Sequence, residues 1–132
     1  RRGARLRLVV DRQHGVAERG ERLARGARRL LRLLGGPLEE LRVEQLYPFD
    51  DRRFAEELKR YPHARELVWC QEEPLNQGAW YAKAHRLQGV LRKGQELHVV
   101  SRPASASPAV GYASKHMEQQ KDLINEALGS SK

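Results

Sequence analysis

A single cysteine in 132 residues, eight aromatic side chains and no apolar run near the ~20 residues that span a bilayer narrow the function classes at once. Lone Cys70 excludes an internal disulfide framework and a Cys-paired zinc site. The start shows no charged region, apolar stretch and cleavage pattern of a secretory leader, so a reducing cytoplasm is the expected compartment. No G-x-x-x-x-G-K or G-x-G-x-x-G joins a strand to a helix, which removes the usual phosphate cradles. The five histidines (His14, His63, His85, His98, His116) are scattered without H-E-x-x-H or a ligand pair at helical spacing, and no metal is expected.

What is present suits one soluble domain with a real core: 39% hydrophobic and 32% charged residues over a length of ordinary domain size. The net charge of +8 is unevenly placed. Residues 1–36 hold eleven arginines, no lysine and only three acids (Asp11, Glu18, Glu21), and the remainder balances to zero. Nucleic-acid binders spread their cations over a phosphate-tracking face and interleave aromatic residues for stacking. Residues 1–36 contain no aromatic residue, so nucleic acid is not expected as a partner, and without a spanning apolar run neither is a membrane.

Hydrophobic periodicity alternates strand and helix. Residues 5–10 place Leu6, Leu8 and Val10 on one strand face, and residues 16–34 read as an Arg-rich helix stopped by Gly35-Gly36-Pro37. Residues 41–46 form a second strand, and Asp50-Asp51 cap a helix to about Tyr61, with Phe54, Leu58 and Tyr61 at helical spacing before Pro62. Residues 66–71 contain the run Leu67-Val68-Trp69-Cys70, the pattern of a strand buried on both faces. A helix over 77–91 carries Trp80, Ala84, Leu87 and Leu91 on one stripe. Residues 96–101 make a fourth strand. A last helix over 112–128 turns Met117, Ile124, Ala127 and Leu128 inward and stops at Gly129. Strands alternating with helices predict an α/β fold: a three-layer αβα sandwich around a mostly parallel, twisted sheet.

Two loops draw notice. Glu72-Glu73-Pro74 follows an apolar strand and leads into Asn76-Gln77-Gly78 at a helix start, at the end of a sheet where ligands and neighbouring domains dock. Alternatively, one Glu or Asn76 caps the helix and the other acid is solvated. A stand-alone acid/base pair is disfavoured, because adjacent side chains on extended chain point apart. In the loop 102–109, small residues let another backbone approach and Arg102 could grip a carboxylate with two bonds; the alternative is a stiff connector set by Pro103 and Pro108. Cys70 could be a nucleophile, but Val68 and Trp69 beside it favour a buried, inert thiol.

The strings V-E-Q-L-Y-P-F (43–49), V-W-C-Q-E-E-P-L-N-Q-G-A-W-Y (68–81) and S-R-P-A-S-A-S-P-A-V-G-Y (101–112), followed by His116 and Gln119-Gln120, resemble the C-terminal domain of the decarboxylating component of 2-oxoglutarate dehydrogenase. The resemblance covers residues 40–128 and implies a fold similar to the C-terminal domain of transketolase, within a cytoplasmic bacterial oxidoreductase of the citric acid cycle. It implies a homodimeric enzyme that decarboxylates 2-oxoglutarate and passes succinyl to the lipoyl arm of a partner acyltransferase. Thiamine diphosphate and Mg²⁺ belong to its preceding domains, whose G-D-G motif and catalytic histidines are absent here. By that resemblance the chain binds no cofactor or metal and is inactive alone. Glu72, Glu73, Asn76, Gln77, Gly78, Trp80, Arg102, Ser105 and His116 are then residues of domain or subunit contacts, near an effector surface.

Residues 1–38 depart from the family, which has a strand and loop close to C-S-G-K-V-Y-Y-D-L there, so the expected division is an Arg-rich segment 1–38 and a family domain 39–132. Arginine as the only base, with Gly and Leu filling much of the rest, reads like a GC-rich gene translated out of frame, in which case these residues pack poorly or form a helix with no coherent buried face. The competing reading is a genuine basic strand and helix that replaces the family's first unit or attaches the domain to an acidic partner or nucleic acid, and a third is a freestanding, non-catalytic interaction module with that basic arm. The nucleotide sequence decides: under the first reading a second frame across codons 1–38 encodes C-S-G-K-V-Y-Y, and under the other two it does not.

Overall fold

In Arg5-Leu6-Arg7-Leu8, apolar and charged residues alternate with the period of a strand, and this short stretch supplies one of the two inner strands of the sheet. The computed structural model describes residues 4–10, 39–108 and 110–128. Its elements in chain order are β1 (Ala4–Val10), β2 (Glu39–Val43), α1 (Asp51–Leu58), β3 (Ala64–Pro74), α2 (Trp80–Gly89), β4 (Glu96–Arg102) and α3 (Ala113–Leu128). The strands lie in the order β2-β1-β3-β4 and every pairing is parallel.

Register builds both faces. Leu6 lies beside Leu67 and Leu8 beside Trp69, while Leu67 and Trp69 face Leu97 and Val99 of β4. These rows meet Phe54 and Leu58 of α1 and Leu87 of α2 in one core. Side chains alternate across a strand, so the opposite face carries Val68, Cys70 and Val100, which pack under Leu123 and Ala127 of α3. Toward the amino end of that second face, Arg5 Nε donates to Glu66 Oε2 at 2.6 Å. Helices on both faces of a parallel sheet make the expected αβα sandwich, and both faces must be covered because neither is polar throughout.

Several boundaries shift for physical reasons. β2 starts two residues before the expected 41 and ends at Val43, because Leu41 and Val43 follow Leu8 and Val10 in register; Leu46 reaches the core from the loop instead. Asp50 caps α1 as expected, its Oδ1 accepting from Arg53 N–H at 3.0 Å. The last turn then tightens through i→i−3 bonds at Lys59, Arg60 and Tyr61, so α1 stops at Leu58. α2 begins at Trp80, not 77, because the N–H groups of Gln77 and Gly78 both turn back to Pro74 O. On α3, Met117 is 68% exposed, contrary to its expected inward place, while Leu123 fills the contact with β3 and β4. Cys70 is buried, its Sγ against Val68 O. The expected helix over 16–34 and the stop at Gly129 lie outside the described residues.

Leu6 and Leu8 of β1 are fully buried in the larger core. Leu8→Ala is expected to cost about 2–5 kcal/mol of stability in urea unfolding. Met117→Ser, at an exposed position, is expected to stay within about 0.5 kcal/mol. Equal effects would show that β1 does not hold the centre of the sheet.

Candidate functional site

The carboxyl end of the sheet is built around an irregularity in β3. Cys70 pairs with Val100 and Pro74 with Arg102, so β3 spends four residues where β4 spends two. The surplus is a bulge over Gln71, Glu72 and Glu73, and it bends the strand into the turn that leads to α2. Leu75 N–H, donating to Arg102 O at 3.0 Å, closes the bulge against β4.

Gln71 is 2% exposed, and its amide is the hub of this end. Trp69 is fully buried, so its indole N–H needs an acceptor; it finds Gln71 Oε1 at 3.0 Å. The same oxygen accepts Trp80 N–H at 3.1 Å, and Gln71 Nε2 donates to Pro74 O at 3.2 Å. The residue before α2 is Ala79, which has no capping side chain, so Gln71 does from β3 what neither Glu72 beside it nor Asn76 in the following turn does. Gly78 leaves the room required: a Cβ there would overlap the Gln71 amide.

The two conspicuous loops are tied together across 29 residues. Asn76 Nδ2 donates to Ser105 O at 3.0 Å and Ser105 N–H donates to Asn76 Oδ1 at 3.0 Å, so the side-chain amide pairs with backbone as a strand neighbour would. Gln77 Nε2 adds a 2.6 Å bond to the same carbonyl, and Ser107 N–H donates to Ser105 Oγ at 3.3 Å.

Arg102 is buried, but it grips no carboxylate: among the described residues its guanidinium is in no ion pair. Its Nη2 donates instead to Gln120 Oε1 at 3.3 Å, and Gln120 Nε2 reaches exposed Glu72 Oε1 at 3.4 Å. Glu73 is half-buried. His116 sits in the first turn of α3, its N–H closing that turn on Tyr112 O at 3.0 Å, with no side-chain bond to the cluster. The hydrogen bond and charge of Glu57 hold the Arg60 guanidinium above its ordinary pKa, at the far end of α1.

Of the expected residues, the structure thus joins Asn76, Gln77 and Ser105 in one clamp, Gly78 and Trp80 around Gln71, and Glu72 and Arg102 through Gln120. Gln71 and Gln120 escape sequence reasoning. A polar residue ending the run Leu67-Val68-Trp69-Cys70 was the available signal for Gln71, since a buried tryptophan needs an acceptor nearby. Gln120 carries no such signal. Among the described residues no group of three or more His, Cys, Asp and Glu converges as a metal site. The arrangement can hold two loops in a fixed shape and present them.

Gly78→Ala is expected to unseat the Gln71 amide and cost about 1–3 kcal/mol, with a change in Trp69 fluorescence on the folded protein. Gly89→Ala, where a Cβ meets open space, is expected to be neutral or to stabilise by up to about 1 kcal/mol. Equal effects at the two glycines would remove Gln71 from its role.

Residues 38–128 match the family described as 2-oxoglutarate dehydrogenase C-terminal. The chain is 54% identical over 92 residues to the 2-oxoglutarate dehydrogenase E1 component of Cupriavidus necator, covering 70% of this chain and 10% of that protein. It is 51% identical over 88 residues to the E1 component of Haemophilus influenzae, covering 67% and 9%. The E1 component of Azotobacter vinelandii is 48% identical over 91 residues, covering 67% and 10%. The chain spans about a tenth of the length of the curated relatives it matches. The apolar strand, the bulge with Glu72 and Glu73 and the Asn76–Ser105 clamp all fall within the matched residues, and this chain belongs to the 2-oxoglutarate dehydrogenase C-terminal family.

Proposed function

We propose that this chain serves as the C-terminal structural domain of a 2-oxoglutarate dehydrogenase decarboxylating component, docking through the carboxyl end of its sheet onto the rest of that enzyme. One observation carries the reading. Tyr47, Tyr81 and Tyr112 are 89%, 64% and 77% exposed, and they follow the carboxyl ends of β2, β3 and β4 respectively. In a parallel sheet those ends lie together, so the segments that carry the three exposed tyrosines leave the sheet at one end. Large apolar side chains left in water at one place mark an interaction face, and tyrosine is enriched where proteins meet.

Local packing supports that role. Lys83 Nζ lies 5.9 Å from the Tyr47 ring centroid and 5.8 Å from that of Phe49, a cation–π arrangement that steadies the first ring. The Asn76–Ser105 clamp fixes the loops between the other two. On this reading the rest of the polypeptide carries thiamine diphosphate and Mg²⁺, decarboxylates 2-oxoglutarate and hands succinyl to the lipoyl acyltransferase, with a second subunit completing a homodimer. Residues 4–10, ahead of the matched region, take the place of the family's first strand. No helix among the described residues is long and apolar enough to cross a membrane.

The test places serine at Tyr47, Tyr81 and Tyr112 together in the complete dehydrogenase component. Each truncation at a docked aromatic is expected to weaken assembly by about 1–2 kcal/mol, lowering subunit association and turnover, while the 132-residue chain alone keeps its melting temperature. A triple variant that assembles and turns over like the parent removes the docking reading.

A further inference from the structure

Arg102 is 8% exposed, and its Nε is sealed from solvent with no hydrogen-bond partner. A buried cation without a counter-ion is costly, and a guanidinium edge offering Nε and Nη2 side by side matches the two coplanar oxygens of a carboxylate. Here that edge has one acceptor, the neutral Gln120 Oε1, at 3.3 Å from Nη2. Gln120 is held no more firmly on its other side, where its amide reaches Glu72 at 3.4 Å. Both bonds are longer than a well-formed one. The backbone around Arg102 is fixed by comparison: its carbonyl accepts from Leu75 N–H at 3.0 Å and from Ser101 Oγ at 3.1 Å. The residue ends β4 at the carboxyl edge of a parallel sheet, beside the β3 bulge, where α/β folds receive ligands.

We propose that Arg102 anchors a carboxylate-binding site, in which a small monocarboxylate displaces the Gln120 carbonyl and takes bonds from both Nε and Nη2. The half-buried Gln120 side chain, on the surface of α3, swings aside to admit it. Glu72 and Glu73 on the bulge set the charge class, since they repel a phosphate dianion more strongly than a monoanion. Glu72 also competes with the ligand through Gln120. The site stands whether or not the same end of the sheet docks on the rest of the dehydrogenase.

The measurement follows the Arg102 Nε–H cross-peak in nitrogen-15 NMR of the full chain, assigned by side-chain correlation so that no destabilised variant is needed. Sodium acetate, sodium phosphate and sodium chloride are titrated at matched ionic strength. Acetate is expected to move the peak saturably and chloride to leave it in place, with phosphate weaker than acetate. Glu72→Gln, at an exposed side chain, is expected to tighten acetate by about two- to fivefold, the worth of one exposed charge. No saturable shift with acetate, an equal response to chloride, phosphate binding tighter than acetate, or an unchanged acetate affinity in Glu72→Gln would each overturn the proposal.

Discussion

Full burial of the Trp69 indole is the constraint on which the carboxyl half of this domain depends. An indole N–H removed from water must find an acceptor, and two residues along the same strand the Gln71 amide supplies it at 3.0 Å. In a regular strand residues 69 and 71 project to the same face, so the strand itself delivers the acceptor. Once buried, that amide has to satisfy its own remaining groups. It does so at Pro74 O and at the first N–H of α2, which sets where the strand bends, where the helix starts and why residue 78 has no side chain. The loop face follows from those choices, because Asn76 and Gln77 lie between the bend and the helix and meet Ser105 only from there.

A second constraint is that a parallel sheet needs apolar cover on both sides. α1 and α2 close one face over Leu6, Leu8, Leu67 and Trp69, and α3 closes part of the other over Val68, Cys70 and Val100. β1 is decisive in this economy. It joins β2 to β3, and it comes from residues that precede the family match at 38–128. Parallel pairing asks little of a central strand beyond extended backbone and apolar residues at every second position, and Leu6 and Leu8 supply them. Arg5 adds a partner for Glu66 at its amino end.

Much of this was legible beforehand, and the reason differs by element. The run Leu67-Val68-Trp69-Cys70 announces a doubly buried strand because it is shorter than a helix needs and carries a β-branched and an aromatic residue between polar flanks. Asp50 announces a helix start because its carboxylate answers the orphan N–H groups of the first turn. The strings around Glu72 and Arg102 point to the loops that the structure brings together. Met117 misled, since helical spacing alone allows more than one stripe on α3 to face inward, and the pairing of Leu123 with the sheet selects between them. The start of α2 misled as well, because its cap comes from a different element.

By itself the sequence determined the α/β class, the order of strands and helices from residue 39 onward, the family, and the two loops that carry its polar residues. Only the tertiary structure decided which amides those residues pair with: Gln71 with Trp80, Asn76 with Ser105, and Arg102 with Gln120 rather than with Glu72. Local spacing governs bonds within a turn or along a strand. These partners stand 9 to 29 residues apart, and what brings them within 3.0 to 3.3 Å is the register of β3 on β4 and the two residues that its bulge inserts.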